Sequence, residues 1–316
     1  MHIAITGANG FIARRLIASL KSTHPDATFT LLDIQKSHDD ITIADVTNSD
    51  TMLTHLKGAD IIYHLAAEHR DDVSPIQKYY DTNVGSAKTI TAAARKHGIK
   101  TIIFTSTVAV YGLNAGESVE TDTPAPFNDY GQSKLDAEKI FEDWASETQD
   151  NSLTTLRLVA TFGPGNRGNI HTLMNQVARK KFIMIGNGQN KKSIAYVENT
   201  AAFMASFAKN AKKGIQIYNY ADKPDLDMTA MMTSIRESFG IRNRVIKAPY
   251  IIGIIGGTAF DILAKITGRK FPISKIRVQK FCANTTVNAA KAHKTFKAPH
   301  TITEGLTAMI KTDFNE

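Results

Sequence analysis

The stretch HIAITGANGFIARRL (residues 2–16) decides the fold. A short apolar run, a glycine-rich turn and an amphipathic segment predict a strand that passes directly into a helix. Gly7 permits the tight turn, Gly10 lets backbone amides approach a diphosphate, and Ala13 is small enough for the helix to pack on the strand. An ordinary strand-to-helix turn also needs glycines, so this stretch alone does not establish a nucleotide site.

Asp33 supports the interpretation of the glycine-rich turn as a nucleotide site. Asp33 ends the second predicted strand, where its side chain can accept hydrogen bonds from a ribose hydroxyl. The same charge would repel a 2′-phosphate, so we expect NAD rather than NADP. Asp45, which follows residues 41–44, is interpreted as an adenine-side contact, with a simple turn-forming Asp as the alternative.

The first half of the chain alternates short β-branched runs with helical stretches, which is typical of a parallel sheet wrapped by helices. The predicted strands are 2–6, 28–32, 61–65, 101–106 and 153–157, and the predicted helices are 11–21, 76–97 and 130–147, with Gly98 as the C-terminal cap of the second helix. We therefore expect an α/β fold, a Rossmann-type doubly wound parallel sheet with a smaller C-terminal substrate-binding lobe. The predicted division is a cofactor domain over 1–165, with a return segment near 194–222, and a mainly substrate-binding lobe over 166–316.

Composition narrows the setting of the protein. The 316 residues carry 42% hydrophobic side chains and a single cysteine, Cys282, so no internal disulfide can form. The chain begins directly with a predicted strand, which favours a cytoplasmic protein without an export signal.

The net charge of +8 is concentrated, because the stretch Ile241–His300 holds twelve Lys and Arg against one acid. Such a block suits nucleic acid, an anionic membrane face or a diphosphate, or is simply a solvated basic face.

The most apolar stretch is Ala248–Phe260. It is shorter than the roughly 20 residues that cross a bilayer. Two interpretations stay open: a buried helix that covers the second lobe, or an in-plane helix that contacts an anionic membrane surface.

Two further segments supply groups for proton and hydride chemistry on an alcohol: TIIFTSTVAVYG (residues 101–112) and DYGQSK (residues 129–134). Tyr130 and Lys134 are four residues apart on a predicted helix and therefore share a face. A nearby ammonium and the positive charge of the nicotinamide both favour the phenolate of a tyrosine, which can then take a proton from a hydroxyl. Thr107, at the end of the preceding strand, would hold the same substrate oxygen.

Several motifs together resemble the extended short-chain dehydrogenase/reductases that act on nucleotide sugars: TGANGFIA, HLAA (64–67), Asn83, STVAVYG, YGQSK, LRLVATFGPGN and YVENTA (196–201). Residues 66–75, 218–228 and 256–270 are similar to bacterial 4-epimerases that interconvert N-acetylglucosamine and N-acetylgalactosamine on undecaprenyl diphosphate. Members of that group have also been regarded as UDP-N-acetylglucosamine 4-epimerases. The resemblance covers essentially the whole chain.

The resemblance implies a set of site residues. Contacts to NAD are expected from Gly7, Gly10, Phe11, Ile12, Asp33, Asp45, Val46, Leu65, Ala66, Ala67, Asn83, Tyr130 and Lys134. Substrate contacts are expected from Arg70, Thr107, Arg167, Asn169, Lys192, Arg269 and Arg277. The alternative to a substrate contact is, for each of these cations, a solvated surface side chain. For Arg70 the alternative is an ion pair with Asp71 or Asp72.

Departures from the broader family pattern narrow the reaction. Sugar 4,6-dehydratases similar to this chain place an Asp-Glu pair after the strand-end Thr, and related decarboxylases keep a Glu at the second of these positions. This chain has Val108 and Ala109 there, so elimination of water and decarboxylation are disfavoured. Ala160 stands where many relatives carry a polar side chain that helps hold the diphosphate, so that contact is not transferred.

The resemblance and these departures predict an NAD-dependent 4-epimerase that acts through a transient 4-ketosugar on undecaprenyl diphosphate or UDP. The alternatives are a 4-ketoreductase of a UDP-deoxyaminosugar and, from another class, a non-catalytic NAD sensor that binds nucleic acid through the basic block. The sensor has no need of Tyr130 and Lys134, and the basic stretch lacks a recognisable reading helix. We expect a homodimer formed through a four-helix contact, peripheral contact with an anionic membrane, a role in O-antigen and lipopolysaccharide biosynthesis, and neither a metal ion nor nucleic acid as a ligand.

Overall fold

The computed structural model describes residues 1–70, 73–113, 116–242, 245–268, 271 and 274–314. The strands are β1 His2–Thr6, β2 Thr28–Asp33, β3 Ile41–Ile43, β4 Ile61–His64, β5 Thr101–Thr107, β6 Glu117–Ser118, β7 Ser152–Leu158, β8 Ala160–Phe162, β9 Ile183–Ile185, β10 Lys191–Lys192, β11 Ile194–Tyr196, β12 Gly214–Tyr220, β13 Leu226–Asp227, β14 Ile246–Ala248 and β15 Thr286–Val287. The α-helices are α1 Phe11–Thr23, α2 Ser49–His55, α3 Gln77–Tyr79, α4 Gly85–His97, α5 Asp129–Ser146, α6 Asn169–Ala178, α7 Val197–Asn210, α8 Met228–Ser238, α9 Tyr250–Thr267, α10 Lys275–Cys282, α11 Ala290–His293 and α12 Ile302–Asp313.

Seven parallel strands form the main sheet, in the order β12-β7-β5-β4-β1-β2-β3. The order reverses between β1 and β4, which leaves a crevice at the carboxyl ends of these two strands. This confirms the predicted doubly wound α/β fold. Strand β12 joins the sheet from within the predicted return segment, whereas the domain boundary itself stays a prediction.

Apolar side chains cover both faces of this sheet. On one face, α1 and α7 pack through residues such as Leu16 and Phe203. On the other, α2, α4 and α5 pack through residues such as Ile90 and Trp144. The central strands β1, β4, β5 and β7 are almost entirely buried on both faces, as is typical of parallel strands covered by helices.

The predicted helix over 76–97 is interrupted. The chain forms α3, then a π-helical turn over Tyr80–Val84, then α4. Single π-helical turns are rare and often occur at functional sites. The predicted cap at Gly98 is confirmed, since this residue ends α4 with φ of 69° in the left-handed region.

The C-terminal lobe has its own small core and several two-stranded sheets. Met174 of α6, Met232 of α8 and Leu306 of α12 are buried there together. Strand β9 pairs with β14, and β10 pairs with β13.

Helix α9 lies on the outside of this lobe. Of its 18 residues, only Gly257 is buried among those the structure describes. The side chains of Ile251, Ile255 and Ile266 are 61%, 63% and 76% exposed. α9 is long and apolar enough to cross a membrane, and only 6% of it is buried in the protein. The interpretation of Ala248–Phe260 as a buried helix is therefore wrong.

Glycines explain how α9 is oriented. A Cβ added to Gly253 would lie 2.5 Å from the Ile185 side chain, and one on Gly257 would lie 2.7 Å from the Lys275 amide nitrogen. The small face of the helix thus lies against β9 and the start of α10, while its bulky face points away from the protein.

Candidate active site

The turn after β1 sits at the crevice between β1 and β4. Gly7 adopts φ of +69°, and a Cβ at this position would lie 2.6 Å from the Ala66 amide nitrogen. Gly10 precedes α1 and offers no side-chain cap to it, and no acidic residue occupies the first turn. A helix N-terminus with uncapped amides favours an anion such as a diphosphate.

Asp33 lies at the end of β2 beside this turn. Its carboxylate accepts hydrogen bonds from the backbone amides of Asn9 and Gln35, each at 3.0 Å. These bonds fix the carboxylate at the rim of the crevice, where a ribose would meet it.

Asp45 has the geometry of the turn-forming alternative. Its Oδ1 accepts hydrogen bonds from the Thr47 amide at 2.8 Å and the Thr47 hydroxyl at 2.7 Å. The adenine contact stays a prediction.

The other residues predicted to contact NAD frame the same crevice or brace it. Val46 is buried, and five residues are half-buried around the two strand ends: Phe11, Ile12, Leu65, Ala66 and Ala67. Asn83 lies in the π-helical turn, buried, with its oxygen accepting from the Glu68 amide at 2.9 Å. Its amide group donates to the Glu68 carbonyl at 3.0 Å and to the Ser133 hydroxyl at 2.9 Å. Asn83 therefore ties the loop after β4 to α5.

Helix α5 brings Tyr130 close to the end of β5. Asn128 caps the helix by accepting from the Gly131 amide at 2.9 Å. A Cβ on Gly131 would lie 2.8 Å from the Ala109 carbonyl oxygen, so the absent side chain permits this close approach. Ala109 in turn donates its amide hydrogen to the Thr107 hydroxyl at 3.2 Å. Thr107 and Tyr130 thus belong to two segments in backbone contact.

Lys134 is one turn further along α5 and is only 2% exposed. Its ammonium nitrogen lies 4.2 Å from the centroid of the Phe104 ring, a cation–π geometry. Burial lowers the pKa of Lys134 to about 7, and the charge of Glu138 opposes that shift. A cation that is buried one helical turn from Tyr130 has little solvent to screen its charge.

A buried polar network, which the sequence motifs did not reveal, lies behind these residues. Arg157 on β7 pairs with Glu138 on α5 at 2.7 Å, with both side chains at most 4% exposed. Ser106 also donates to Glu138, and Arg157 donates to the Tyr111 hydroxyl at 2.8 Å. The network joins the ends of β5 and β7 to the helix that carries Tyr130 and Lys134. The one signal in the sequence is a charged residue inside an apolar strand.

Arg70 forms an ion pair with Glu68. Its Nε lies 3.1 Å and its Nη2 3.0 Å from the two carboxylate oxygens of Glu68. The hydrogen bond from Arg70 lowers the pKa of the Glu68 carboxyl. Asp71 and Asp72 lie outside the described residues.

The remaining cations predicted to hold the substrate lie in the C-terminal lobe. Arg167 contacts the His171 imidazole at 2.6 Å, and Asn169 is the first residue of α6. Lys192 donates to the carbonyls of Lys280 and Ala283, and burial lowers its pKa to about 8. Arg277 is exposed on α10, and Arg269 lies outside the described residues. Lys192 therefore braces the helix that carries Arg277, and the diphosphate contacts themselves stay predictions.

Known proteins are similar to this chain over most of its length. Residues 3–221 match the NAD dependent epimerase/dehydratase family. The chain is 43% identical over 318 residues, covering 99% of it and 95% of the relative, to N-acetyl-alpha-D-glucosaminyl-diphospho-ditrans,octacis-undecaprenol 4-epimerase of Escherichia coli O157:H7. It is 25% identical to UDP-glucose 4-epimerase of Vibrio cholerae, covering 84% of this chain and 85% of that one.

Solved structures share the fold at low identity. UDP-N-acetylglucosamine 4-epimerase from Bacillus cereus matches with a TM-score of 0.77 and 18% identity, covering 98% of both chains. UDP-glucuronic acid 4-epimerase from Bacillus cereus in complex with NAD matches with a TM-score of 0.75 and 20% identity, covering 98% of this chain and 99% of that one. The predicted resemblance is confirmed, and the chain belongs to the NAD dependent epimerase/dehydratase family.

Proposed function

We propose that this protein is an NAD-dependent 4-epimerase that interconverts N-acetylglucosamine and N-acetylgalactosamine on a diphosphate carrier. The observation that carries the proposal is the placement of Thr107, Tyr130 and Lys134 on adjoining segments at the carboxyl edge of the sheet. The 43% identity to a 4-epimerase over nearly the whole chain supports the same reaction.

The crevice fits NAD. Gly7 leaves room beside Ala66 that a side chain would fill, the uncapped start of α1 suits a diphosphate, and the fixed Asp33 carboxylate suits an unphosphorylated ribose. Held by these residues, NAD would supply reversible hydride transfer at the sugar C4.

The chain's own residues manage the proton. Tyr130 takes the proton of the C4 hydroxyl. It later returns a proton to the same oxygen, after the configuration of C4 has been inverted. The buried Lys134 ammonium stabilises the phenolate, and the Thr107 hydroxyl holds the substrate oxygen. Val108 and Ala109 bring no carboxylate to this position, which disfavours elimination of water and decarboxylation.

We infer that the carrier is undecaprenyl diphosphate and that the protein works at the cytoplasmic face of a membrane. Support comes from α9, whose exposed isoleucines face away from the protein while Gly253 and Gly257 pack inward. Lys265, Lys275 and Arg277 lie on or beside this helix, and such cations attract an anionic leaflet with roughly 1 kcal/mol each. An apolar face that points away from the protein, with cations on or beside the helix, suits a helix lying in the membrane plane.

Parallel incubations test the reaction and its carrier. Purified protein should invert C4 of N-acetylglucosaminyl diphosphoundecaprenol, without net consumption of NADH, and should act on UDP-N-acetylglucosamine more slowly. Stoichiometric oxidation of added NADH with a ketosugar would favour the 4-ketoreductase instead. Salt-sensitive nucleic-acid binding without turnover of any sugar would favour the NAD-sensing regulator.

Flotation with anionic liposomes tests the membrane contact. The unmodified protein should float at low salt, and Ile255→Glu should weaken flotation, because the charge would have to enter the interface. Ile215→Glu is the matched control, since Ile215 is a half-exposed isoleucine on the edge strand β12, away from α9. Equal flotation of the two variants would contradict the role of α9.

The remaining assignments belong to the same proposal. We expect a cytoplasmic homodimer that serves O-antigen and lipopolysaccharide biosynthesis, with the predicted NAD and substrate residues in the roles given above. Sedimentation at several protein concentrations would measure the oligomeric state.

A further inference from the structure

A cleft of about 870 Å³ opens in the C-terminal lobe beside the start of α9. Its walls come from β9, β14, the first residue of α9, the end of α10 and the segment that follows Thr107. The volume lies within the range of about 300–1,000 Å³ that small-molecule sites occupy.

One part of the lining is apolar, and the other part is polar because Asn187, Asn190 and Gln279 also line the cleft. Leu113, Ile185, Ala248, Pro249 and Tyr250 contribute carbon-rich surface, and Lys247 contributes a cation. Lys247 donates to the Asn187 carbonyl at 3.2 Å, so its ammonium is held at the wall of the cleft. A partly apolar cleft with a cation at its wall fits an amphiphile that has an anionic head.

The position of the cleft links two features that are otherwise separate. Leu113 closely follows the 3-10 turn Val108–Tyr111, which begins directly after Thr107. At the opposite side, Pro249 and Tyr250 begin α9, whose exposed isoleucines continue the apolar surface outward. The cleft is thus lined both by a residue of the segment that follows the catalytic strand and by the first residue of the helix assigned to the membrane.

We propose that this cleft binds the first isoprenoid units of a polyprenyl diphosphate carrier and leads the chain from the active site to the membrane. The proposal rests on the proposed function, and it adds a carrier-binding subsite to it. A nucleotide carrier would need polar partners for its base and ribose, which Asn187, Asn190 and Gln279 could supply, so UDP-N-acetylglucosamine is the competing ligand in the test.

The single cysteine of the chain provides a direct probe, because Cys282 lines the cleft. The rate of its alkylation by N-ethylmaleimide is measured in the full chain with farnesyl diphosphate, with UDP-N-acetylglucosamine and with inorganic diphosphate. At about ten times its dissociation constant, farnesyl diphosphate should slow alkylation about tenfold, since roughly a tenth of the sites remain free. Cys282→Ser should take up no label, which assigns the signal.

The other two ligands define the contrary result. Inorganic diphosphate should slow alkylation less than farnesyl diphosphate does, because it can occupy only the wall at Lys247 and leaves the apolar part of the cleft open. Absence of protection by farnesyl diphosphate, or stronger protection by UDP-N-acetylglucosamine, would overturn the proposal. This readout needs no turnover, so protection without epimerisation would refute the proposed function while leaving the subsite intact.

A cleft-filling variant provides the kinetic counterpart. Ala248→Trp should raise KM for the polyprenyl-linked sugar at least tenfold and leave kcat and bound NAD unchanged. Ile215→Trp, on the edge strand β12 and away from α9, is the matched control and should retain the original KM. Equal KM values for the two folded variants would contradict the proposed subsite.

Discussion

Burial governs the chemistry of the individual residues in this site. Lys134 is enclosed by the sheet and α5, its nitrogen lies over the Phe104 ring, and its pKa falls to about 7. A lysine in ordinary solvent would stay charged far above that value. Removal from water therefore makes the charge of Lys134 expensive for the folded state.

That cost predicts a pH dependence of stability. The unfolded lysine binds its proton up to pH 10.5, whereas the folded one releases it near pH 7, so the unfolded state holds more protons in this window and stability rises with pH. Lys134→Met should therefore be more stable than the unmodified protein at pH 7. That advantage should shrink by about 1.4 kcal/mol per pH unit as the pH rises towards 10.

Urea unfolding at pH 7.5 and 9.5 measures the difference. Lys139→Met is the control, because Lys139 is an exposed lysine on the same helix. A pH-independent difference between Lys134→Met and the unmodified protein would contradict the assigned burial of the ammonium.

We propose Tyr130 as the proton-transfer residue, so its loss should be selective. Tyr130→Phe should lower kcat by about 10² to 10⁴, the usual contribution of a positioned acid–base group, while the protein keeps its NAD. Tyr80→Phe serves as the control, since the Tyr80 hydroxyl bonds to Asp129 at 3.0 Å in the neighbouring segment. Equal activity of the two variants would remove Tyr130 from the mechanism.

Short segments position these side chains at the scale of the element. The start of α5 approaches the turn after β5 so closely that Gly131 leaves only 2.8 Å between an added Cβ and the Ala109 oxygen. The π-helical turn before α4 places Asn83 where it bonds both the loop after β4 and Ser133 of α5. Three elements are thereby locked around Tyr130.

Gly131→Ala should therefore displace the catalytic segments. A misplacement of about 1 Å can cost on the order of a hundredfold in rate, so we expect kcat to fall about ten- to a hundredfold with NAD content unchanged. Gly85→Ala on α4 is the matched change, because its added methyl would meet the Thr47 side chain at an ordinary 3.8 Å. Retention of full activity by Gly131→Ala would show that α5 can move without consequence.

The strands and the glycine-rich turn were predictable because their signals are local. Strand β1 has the predicted bounds, and Gly98 ends α4 as expected, since apolar runs and helix caps depend on neighbouring residues. The pairing of Glu138 with Arg157 was not, because their contact depends on how a helix and a strand meet in the fold. Asn83 was assigned to NAD by resemblance, yet its hydrogen bonds are made to the loop and helix around it.

Helix α9 escaped a definite prediction for a different physical reason. Its composition is apolar on nearly every side, so the sequence contains no amphipathic pattern from which to choose a buried face. Gly253 and Gly257 decide its orientation, because close packing selects the side without bulky groups. The resulting exposure of isoleucines replaces the expectation of a buried helix.

The whole molecule combines a cofactor crevice at the sheet with a partly apolar cleft and an apolar helix in the C-terminal lobe. The crevice positions a sugar alcohol for oxidation and re-reduction, and the second lobe supplies the surfaces that suit a diphosphate carrier with a lipid tail. Epimerisation within one closed site requires that the hydrogen removed from C4 returns to that same carbon.

Isotope retention at C4 tests this requirement most directly. The protein is given N-acetylglucosaminyl diphosphoundecaprenol carrying deuterium at C4, in ordinary water and without added NADH, and the released hexosamine is analysed by mass spectrometry. We predict N-acetylgalactosamine that keeps the deuterium at C4. Loss of the label to solvent, or product formed only when NADH is supplied, would contradict the 4-epimerase mechanism.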